Sequence, residues 1–238
     1  MNRPLCIDLF CGLGGWTAGF LAEGYECIGF DIERHVYGAD RYPAQLVLQD
    51  VRTLDGAQFK DATIIVASSP CQEFSYRAMP WKRAKALGPP LLGMELFAQA
   101  GRIQREACAA AGRYIPMVQE NVRGAQPWVG RARWHHGSYY LWGDVPALMP
   151  LGRATKTVGH INKRDGHSST RHLTNQLEHD SIKVGGDWFN DRRPGTICAH
   201  GSKSPARKAA SARIAKIPLM LAQHIAHVYR PERRAEVA

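Results

Sequence analysis

Long hydrophobic runs are missing from this sequence. The N-terminus, "MNRPLCIDLFCG", opens with a short apolar stretch that an aspartate interrupts at position 8. It is read as neither a signal peptide nor a membrane span, and no membrane association is expected. CxxC pairs are also missing: the six cysteines (6, 11, 27, 71, 108 and 198) are scattered over 238 residues. That excludes a dense disulfide framework and fits a reducing compartment, so a cytoplasmic protein is expected. No internal repeat is present. No GKS or GKT follows the glycines near the N-terminus, which argues against a P-loop nucleotide site. Acidic residues are scarce in one half only. Residues 1–120 hold 12 Lys+Arg against 13 Asp+Glu, and residues 121–238 hold 19 against 8, with nine of the ten histidines. A neutral half followed by a basic half points to a small-molecule site first and a polyanion surface second.

What is present reads as alternating strands and helices. "LCIDLFCG" is a short buried strand, and "GLGGWTAGFLAEG" is a glycine-rich turn entering a helix that stops at Gly24. "YECIGFDIE" is a second strand ending in acids, "RHVYGADRYP" is helical, and "AQLVLQDV" is a third strand ending in an aspartate. "ATIIVASS" is a fourth strand and "IPMVQENV" a fifth. Between them Leu96, Ala100, Ile103 and Ala107 recur at helical spacing. This order predicts an α/β fold with a doubly wound, mostly parallel sheet, which binds ligands at the carboxyl ends of its strands. After about residue 150 the chain becomes polar, glycine-punctuated and basic, as expected of a small irregular recognition lobe. The end is a helix starting at Pro218, with Leu221, Ala222, Ile225, Val228 and Tyr229 as its apolar stripe, followed by a frayed "RPERRAEVA".

Two places carry chemistry. In "DLFCGLGG", Gly12, Gly14 and Gly15 stand where backbone approaches a ligand and helix amides point outward. Asp31 ends the second strand, where an acid in this fold type grips ribose hydroxyls. Asp50 ends the third, placed to accept from an exocyclic amino group such as that of adenine. Glycine turn, ribose acid and adenine acid without a phosphate clamp describe an adenosyl ligand and point to S-adenosyl-L-methionine. The second place is "TIIVASSPCQEFS". A free cysteine is ordinarily a small buried hydrophobe, but Cys71 follows a proline at the carboxyl end of a strand. It opens onto the crevice of the glycine turn, with Glu120 and Asn121 ending the neighbouring strand. A thiol nucleophile and a proton-holding carboxyl group facing a methyl donor form a specific constellation.

The blocks "DLFCGLGG", "FDIE", "QDV", "SSPCQEFS" and "ENV", in this order and spacing, resemble the ordered motifs of the DNA cytosine-5 methyltransferases. The resemblance covers about the first 125 residues and resumes at "ARIAKIPLMLAQHIA", similar to that family's closing helix, which packs back toward the cofactor site. It implies a Rossmann-like S-adenosylmethionine-dependent methyltransferase fold. It divides the chain into a catalytic, cofactor-binding domain (1–150), a target-recognition lobe (151–200) and a C-terminal segment with its helix (201–238). Cys71 would attack carbon 6 of a flipped-out cytosine, and Glu120 would hydrogen-bond and protonate the ring. Asn121 would anchor the cysteine loop, and Gln72 would brace it, with Ser75 and Arg123 as further substrate contacts. Phe10 and Ile32 would sandwich the adenine, with Val51 and Pro70 completing the cofactor site. The implied partner is double-stranded DNA, with no obligate protein partner evident.

The chain departs from the family pattern in places. The family's Gln-x-Arg-x-Arg strand finds its counterpart in "GRARWHHGSYYLWG", which assigns Arg133 to the base and Arg131 to its support, with His136 and Ser138 as the rival alignment. The family's Gly-Asn before the closing helix is replaced by "ARIAKIP". The recognition segment, about 50 residues, is short and implies a short or relaxed target sequence. Length and compactness resemble solitary methyltransferases carried by bacteriophages. His160, His167, His172, His179, Cys198 and His200 match no common zinc spacing, so no metal is expected. Trp128, Trp134, Trp142 and Trp188 are read mainly as packing residues. Three rival functions stand beside this reading: the same chemistry on transfer RNA, a catalytically silent nucleic-acid binder, and transfer of a group other than methyl.

Overall fold

The computed structural model describes residues 3–75, 88–149 and 204–231. Its centre is a seven-stranded sheet in the order β5-β2-β1-β6-β7-β9-β8. The strands are β1 (Leu5–Leu9), β2 (Glu26–Asp31), β5 (Gln45–Leu48), β6 (Ile64–Ser68), β7 (Met117–Asn121), β8 (Trp134–His136) and β9 (Tyr139–Gly143). The first five pair in parallel and the last two add antiparallel. The fold is therefore α/β with a doubly wound, mostly parallel sheet, as the strand–helix alternation predicts.

Both faces of the central strands are covered, which is why they read as continuous apolar runs rather than alternating ones. Along β1, Cys6 belongs to one core cluster, and Ile7 and Leu9 to the opposite one. Helices α1 (Gly15–Ala22) and α5 (Leu219–Val228) cover the first face, and helix α2 (Leu91–Ala111) covers the second with Ala100, Ile103 and Ala107. A short helix α3 (Gln126–Val129) follows β7, and helix α4 (Pro205–Ala215) leads into α5. Helices α1 and α5 cross closely enough that a Cβ on Gly19 would stand 2.4 Å from the Ala222 Cβ. Tyr25 clasps the crossing by donating to the Ala226 carbonyl at 2.9 Å.

Strand order reverses between β1 and β6: from β1 the chain runs outward through β2 to β5, then returns to β6 and β7 on the other side. A crevice at such a switch point, beyond the carboxyl ends, is where this architecture holds ligands. The turn after β1 carries the glycines, and the turn after β6 carries Cys71.

The structure corrects several sequence expectations. "RHVYGADRYP" is not helical: it contains a two-stranded hairpin, β3 (Val36–Tyr37) with β4 (Asp40–Arg41), turning at Gly38 with φ +66°. The left-handed glycine and the β-branched and aromatic residues beside it outweigh any helical preference. The third strand stops at Leu48, and Asp50 caps a short 3-10 turn over Val51–Thr53 instead. In α5, Val228 is 37% exposed, and Ala226 takes its place in the buried stripe with Leu221, Ala222 and Ile225. The expected recognition lobe at 151–200 lies outside the described residues, as do the histidines at 160–200, Cys198 and Trp188. Among the described residues no helix is long and apolar enough to cross a membrane.

Candidate active site

The Cys71 loop is held at several points. Asn121, wholly buried at the end of β7, donates its amide to the Ser69 carbonyl and to Ser69 Oγ, both at 3.0 Å. Its own Oδ1 accepts from the Val122 amide at 2.8 Å, which uses the other end of the carboxamide. Gln119, also buried, approaches Ser69 Oγ at 3.5 Å. Two residues beyond the cysteine, the Glu73 carboxylate accepts from the Gly93 amide near the start of α2 at 2.6 Å. Phe74 is fully buried against Ala125 and Trp142. A turn from Cys71 O to Phe74 N (3.1 Å) closes the loop. Cys71 itself is half-buried and makes no disulfide, while Pro70 and Gln72 are exposed and Ser75 is half-buried. Pro70 sets the backbone between a buried Ser69 and a half-open thiol, where an accessible nucleophile is useful.

Glu120 is level with Ser68 in the parallel register of β6 and β7, so its Cα lies one strand spacing from the strand that delivers Cys71. Its side chain is buried. The nearby Tyr139 phenol is held well above its ordinary pKa, first by burial and then by the Glu120 charge. Tyr139 donates to the Lys216 carbonyl at 3.0 Å, which ties the segment before α5 to the site.

The three glycines of "GLGG" divide their work. A Cβ on Gly12 (φ +51°) would meet nothing within 4 Å, so the turn is open there. Gly14 and Gly15 instead permit close packing: added Cβ atoms would stand 2.5 Å from Pro43 Cδ and 2.3 Å from the Ile217 amide nitrogen. Phe10, just ahead of them, has φ +57°, the only non-glycine in the left-handed region among the described residues. Such strain persists where surrounding structure demands it, commonly at ligand sites. Asp31 receives the Gly12 amide on Oδ2 at 2.9 Å and the Glu33 amide on Oδ1 at 3.2 Å, so it shapes the turn while keeping lone pairs open. Beside it Ile32 is 72% exposed, an apolar surface at the mouth of the crevice.

Asp50 is placed differently from expectation. Both its oxygens are engaged by Arg52, through the backbone amide at 2.9 Å and the guanidinium at 2.6 Å, which holds the carboxyl below its usual range. Val51 is buried beneath it. Arg131 and Arg133 are exposed and precede β8. The Arg133 amide pairs with the Leu141 carbonyl at 2.9 Å, and Leu141 is level with Glu120, so the backbone of Arg133 lies back from the carboxyl edge. His136 and Ser138 flank the β8–β9 turn, at the edge beyond Asn121. Arg123 is exposed just after β7. Trp142 is core, and Trp134 stacks on His136 at 6.0 Å. Among the described residues no cluster of His, Cys, Asp and Glu could hold a metal ion.

Sequence reasoning missed a buried polar chain beneath the glycine turn. Thr17 donates to Asp8 Oδ2 at 2.6 Å and is bonded to the Tyr42 hydroxyl at 2.6 Å. Asp8 Oδ1 is buried with no hydrogen-bond partner. Burial pushes the Asp8 carboxyl up to about 8, against the lowering pull of Thr17. Tyr42 lies over Gly29, where an added Cβ would come 2.3 Å from its ring. The signal for Asp8 was in plain view: an acid within an otherwise apolar strand.

Comparison with known proteins bears on this segment. Residues 5–107 match the model of the C-5 cytosine-specific DNA methylases. The type II methyltransferase M.DdeI of Desulfomicrobium norvegicum is 35% identical over 78 residues, covering 29% of this chain and 19% of that protein. M.XorII of Xanthomonas oryzae pv. oryzae is 29% identical over 87 residues, covering 32% and 20%. The chain thus spans about a fifth of the length of these relatives. Among solved structures, the Entamoeba histolytica methyltransferase EhMeth aligns over 53% of this chain and 40% of its own, with 16% identity and a TM-score of 0.34. The stretch that carries the glycine turn, Asp31, Asp50 and Cys71 is thus similar to the C-5 cytosine-specific DNA methylases.

Proposed function

We propose that the chain methylates carbon 5 of cytosine in double-stranded DNA, with S-adenosyl-L-methionine as donor and Cys71 as nucleophile. The observation that carries this reading is the anchored, half-open Cys71 loop at the sheet's switch point, tied to the Glu120 strand through Asn121 and Ser69. The donor fits the residues present: an open backbone face at Gly12, lone pairs on Asp31, and apolar surface at Ile32 and Phe10. Val51 and Pro70 complete that wall, and Asp50 reaches an adenine amino group once Arg52 releases it. When bound, S-adenosyl-L-methionine supplies an electrophilic methyl group.

The chain's own residues do the rest. The Cys71 thiolate forms a bond to carbon 6, and Glu120 delivers a proton to the ring nitrogen as the 5,6 double bond is broken. Carbon 5 is thereby made nucleophilic. After methylation, loss of the carbon-5 proton and departure of the Cys71 thiolate restore the double bond, and the ring proton returns to Glu120. A thiolate serves where a hydroxyl fails, because it is a far stronger nucleophile near neutral pH. The first step needs Glu120 in its protonated form. The cytosine must leave the duplex stack to reach Cys71, at a cost of a few kcal/mol. Gln72, Ser75 and Arg123 border the loop as substrate contacts. Arg133, with Arg131 in support, is the pair assigned to the base, and His136 and Ser138 are the alternatives nearer the edge.

A duplex carrying 5-fluorocytosine tests this directly. With cofactor present it should become covalently attached to the protein, because fluorine does not leave as a proton does, and Cys71→Ser should abolish both attachment and turnover. Cytosine methylation by Cys71→Ser at the wild-type rate would overturn the mechanism. Parallel assays with tRNA as acceptor separate the DNA reading from the RNA one.

A further inference from the structure

The crossover from β2 to β5 holds an unassigned feature. A connection between parallel strands is ordinarily covered by a helix, but here residues 32–44 form the β3–β4 hairpin instead. Cross-strand pairing sets Val36 against Arg41, and Arg34 lies two residues ahead of Val36. These three residues, with His35, Tyr42, Ala44 and Leu46, line a cavity of about 360 Å³.

The lining has no carboxylate. Asp40 is paired with Arg213 of α4 at 2.7 Å. Asp31 receives two backbone amides and lies 3.7 Å from His35 Nε2. Among the described residues neither Arg34 nor Arg41 has an ion-pair partner. Two uncompensated guanidinium groups beside an imidazole, over an apolar floor of Val36, Ala44 and Leu46, focus positive potential into the concavity. The wall does not yield freely, because Tyr42 is bonded to Thr17 and wedged against Gly14 and Gly29. Guanidinium forks match the oxygens of a phosphate in geometry as well as charge.

We propose that this hairpin cavity is a phosphate-binding site, with Arg34 and Arg41 as the ligands and His35, whose Nδ1 lies 3.4 Å from the Tyr37 hydroxyl, as a wall residue that reports occupancy. The phosphate can come from a nucleic-acid backbone or from free phosphate, and only the first source rests on the nucleic-acid substrate proposed above. The test uses the full chain and its Arg34→Gln/Arg41→Gln variant, checked for unchanged near-UV circular dichroism. Titration with inorganic phosphate should shift the His35 imidazole resonances saturably in the wild type and not in the variant. In a second arm, affinity for an A·T-only duplex, which contains no cytosine, is measured against salt. If the cavity holds backbone phosphates, the log–log slope should be shallower in the variant by about one to two, at roughly 0.9 per phosphate. A lost phosphate response with an unchanged slope assigns the site to free phosphate. No saturable shift in the wild type, together with identical slopes, overturns the proposal. Neither arm requires methyl transfer, so failure here is distinct from failure of the catalytic reading.

Discussion

Replacing Asp8 with asparagine changes the pH dependence of stability by an amount the structure sets. Asp8 is 1% exposed, holds one bond from Thr17 on Oδ2, and has no partner on Oδ1. Burial raises its carboxyl to about 8, against about 4 in the unfolded chain. Below pH 4 both states hold the proton. Between pH 4 and 8 the folded state keeps a proton that the unfolded state releases, so stability falls as pH rises, and above 8 the full penalty stands. At about 1.36 kcal/mol per pH unit, the wild type should lose about 4 kcal/mol from this group between pH 5 and 8.5. Asparagine carries no such slope. Its NH₂ would replace the orphan oxygen and cost about 1–3 kcal/mol at every pH, so the quantity to compare is the slope rather than the absolute value. Guanidinium unfolding at pH 5, 6, 7, 8 and 8.5 gives both curves, and the two should converge or cross as pH rises. Tyr42, Cys11 and Cys6, which burial also raises, are common to both proteins, so their contribution cancels when the two curves are compared. Parallel curves would refute the assignment and would mean that Asp8 is ionised in the fold, compensated by water at Oδ1.

Other consequences are as direct. Asn121→Ala removes two bonds to Ser69 from a fully buried site, so it should cost about 2–4 kcal/mol and lower the yield of the 5-fluorocytosine adduct at temperatures where the protein remains folded; an unchanged yield would detach Asn121 from the Cys71 loop. Gly29→Ala puts a Cβ 2.3 Å from the Tyr42 ring, for a loss of about 1–3 kcal/mol. Tyr42→Ala in the same chain should remove most of that loss, and strictly additive effects would show that Tyr42 is not the obstacle. Gly19→Ala should push α5 off α1 and lower the melting temperature, and Ala222→Gly should restore little of it, because the backbone at Gln223 N and Ala222 C also stands 2.6 and 2.7 Å from the added Cβ; full rescue would show that the Ala222 side chain is the whole obstacle.

Much was legible because it is written locally. Strand positions followed from short apolar runs ended by turn residues, and the closing helix from the spacing of Leu221, Ala222 and Ile225 behind Pro218. The glycine turn, Asp31, Cys71 and Glu120 could be named as candidates because the doubly wound order sends the carboxyl ends of the five parallel strands to one side of the sheet. Side-chain commitments were not legible, because each depends on a partner distant in sequence. Gly14 and Gly15 look alike with Gly12, yet contact with Pro43 and Ile217 makes them packing positions. Asp50 looks free to meet a ligand until Arg52 occupies both its oxygens. The crossover after Asp31 reads as a helix, and Gly38 together with the anchoring of Tyr42 under the glycine turn makes it a hairpin. Sequence alone determined the succession of the strands and which residue types stand at their ends. Tertiary structure decided which polar groups remain available, because a donor or acceptor is spent only when the fold brings its partner within about 3 Å.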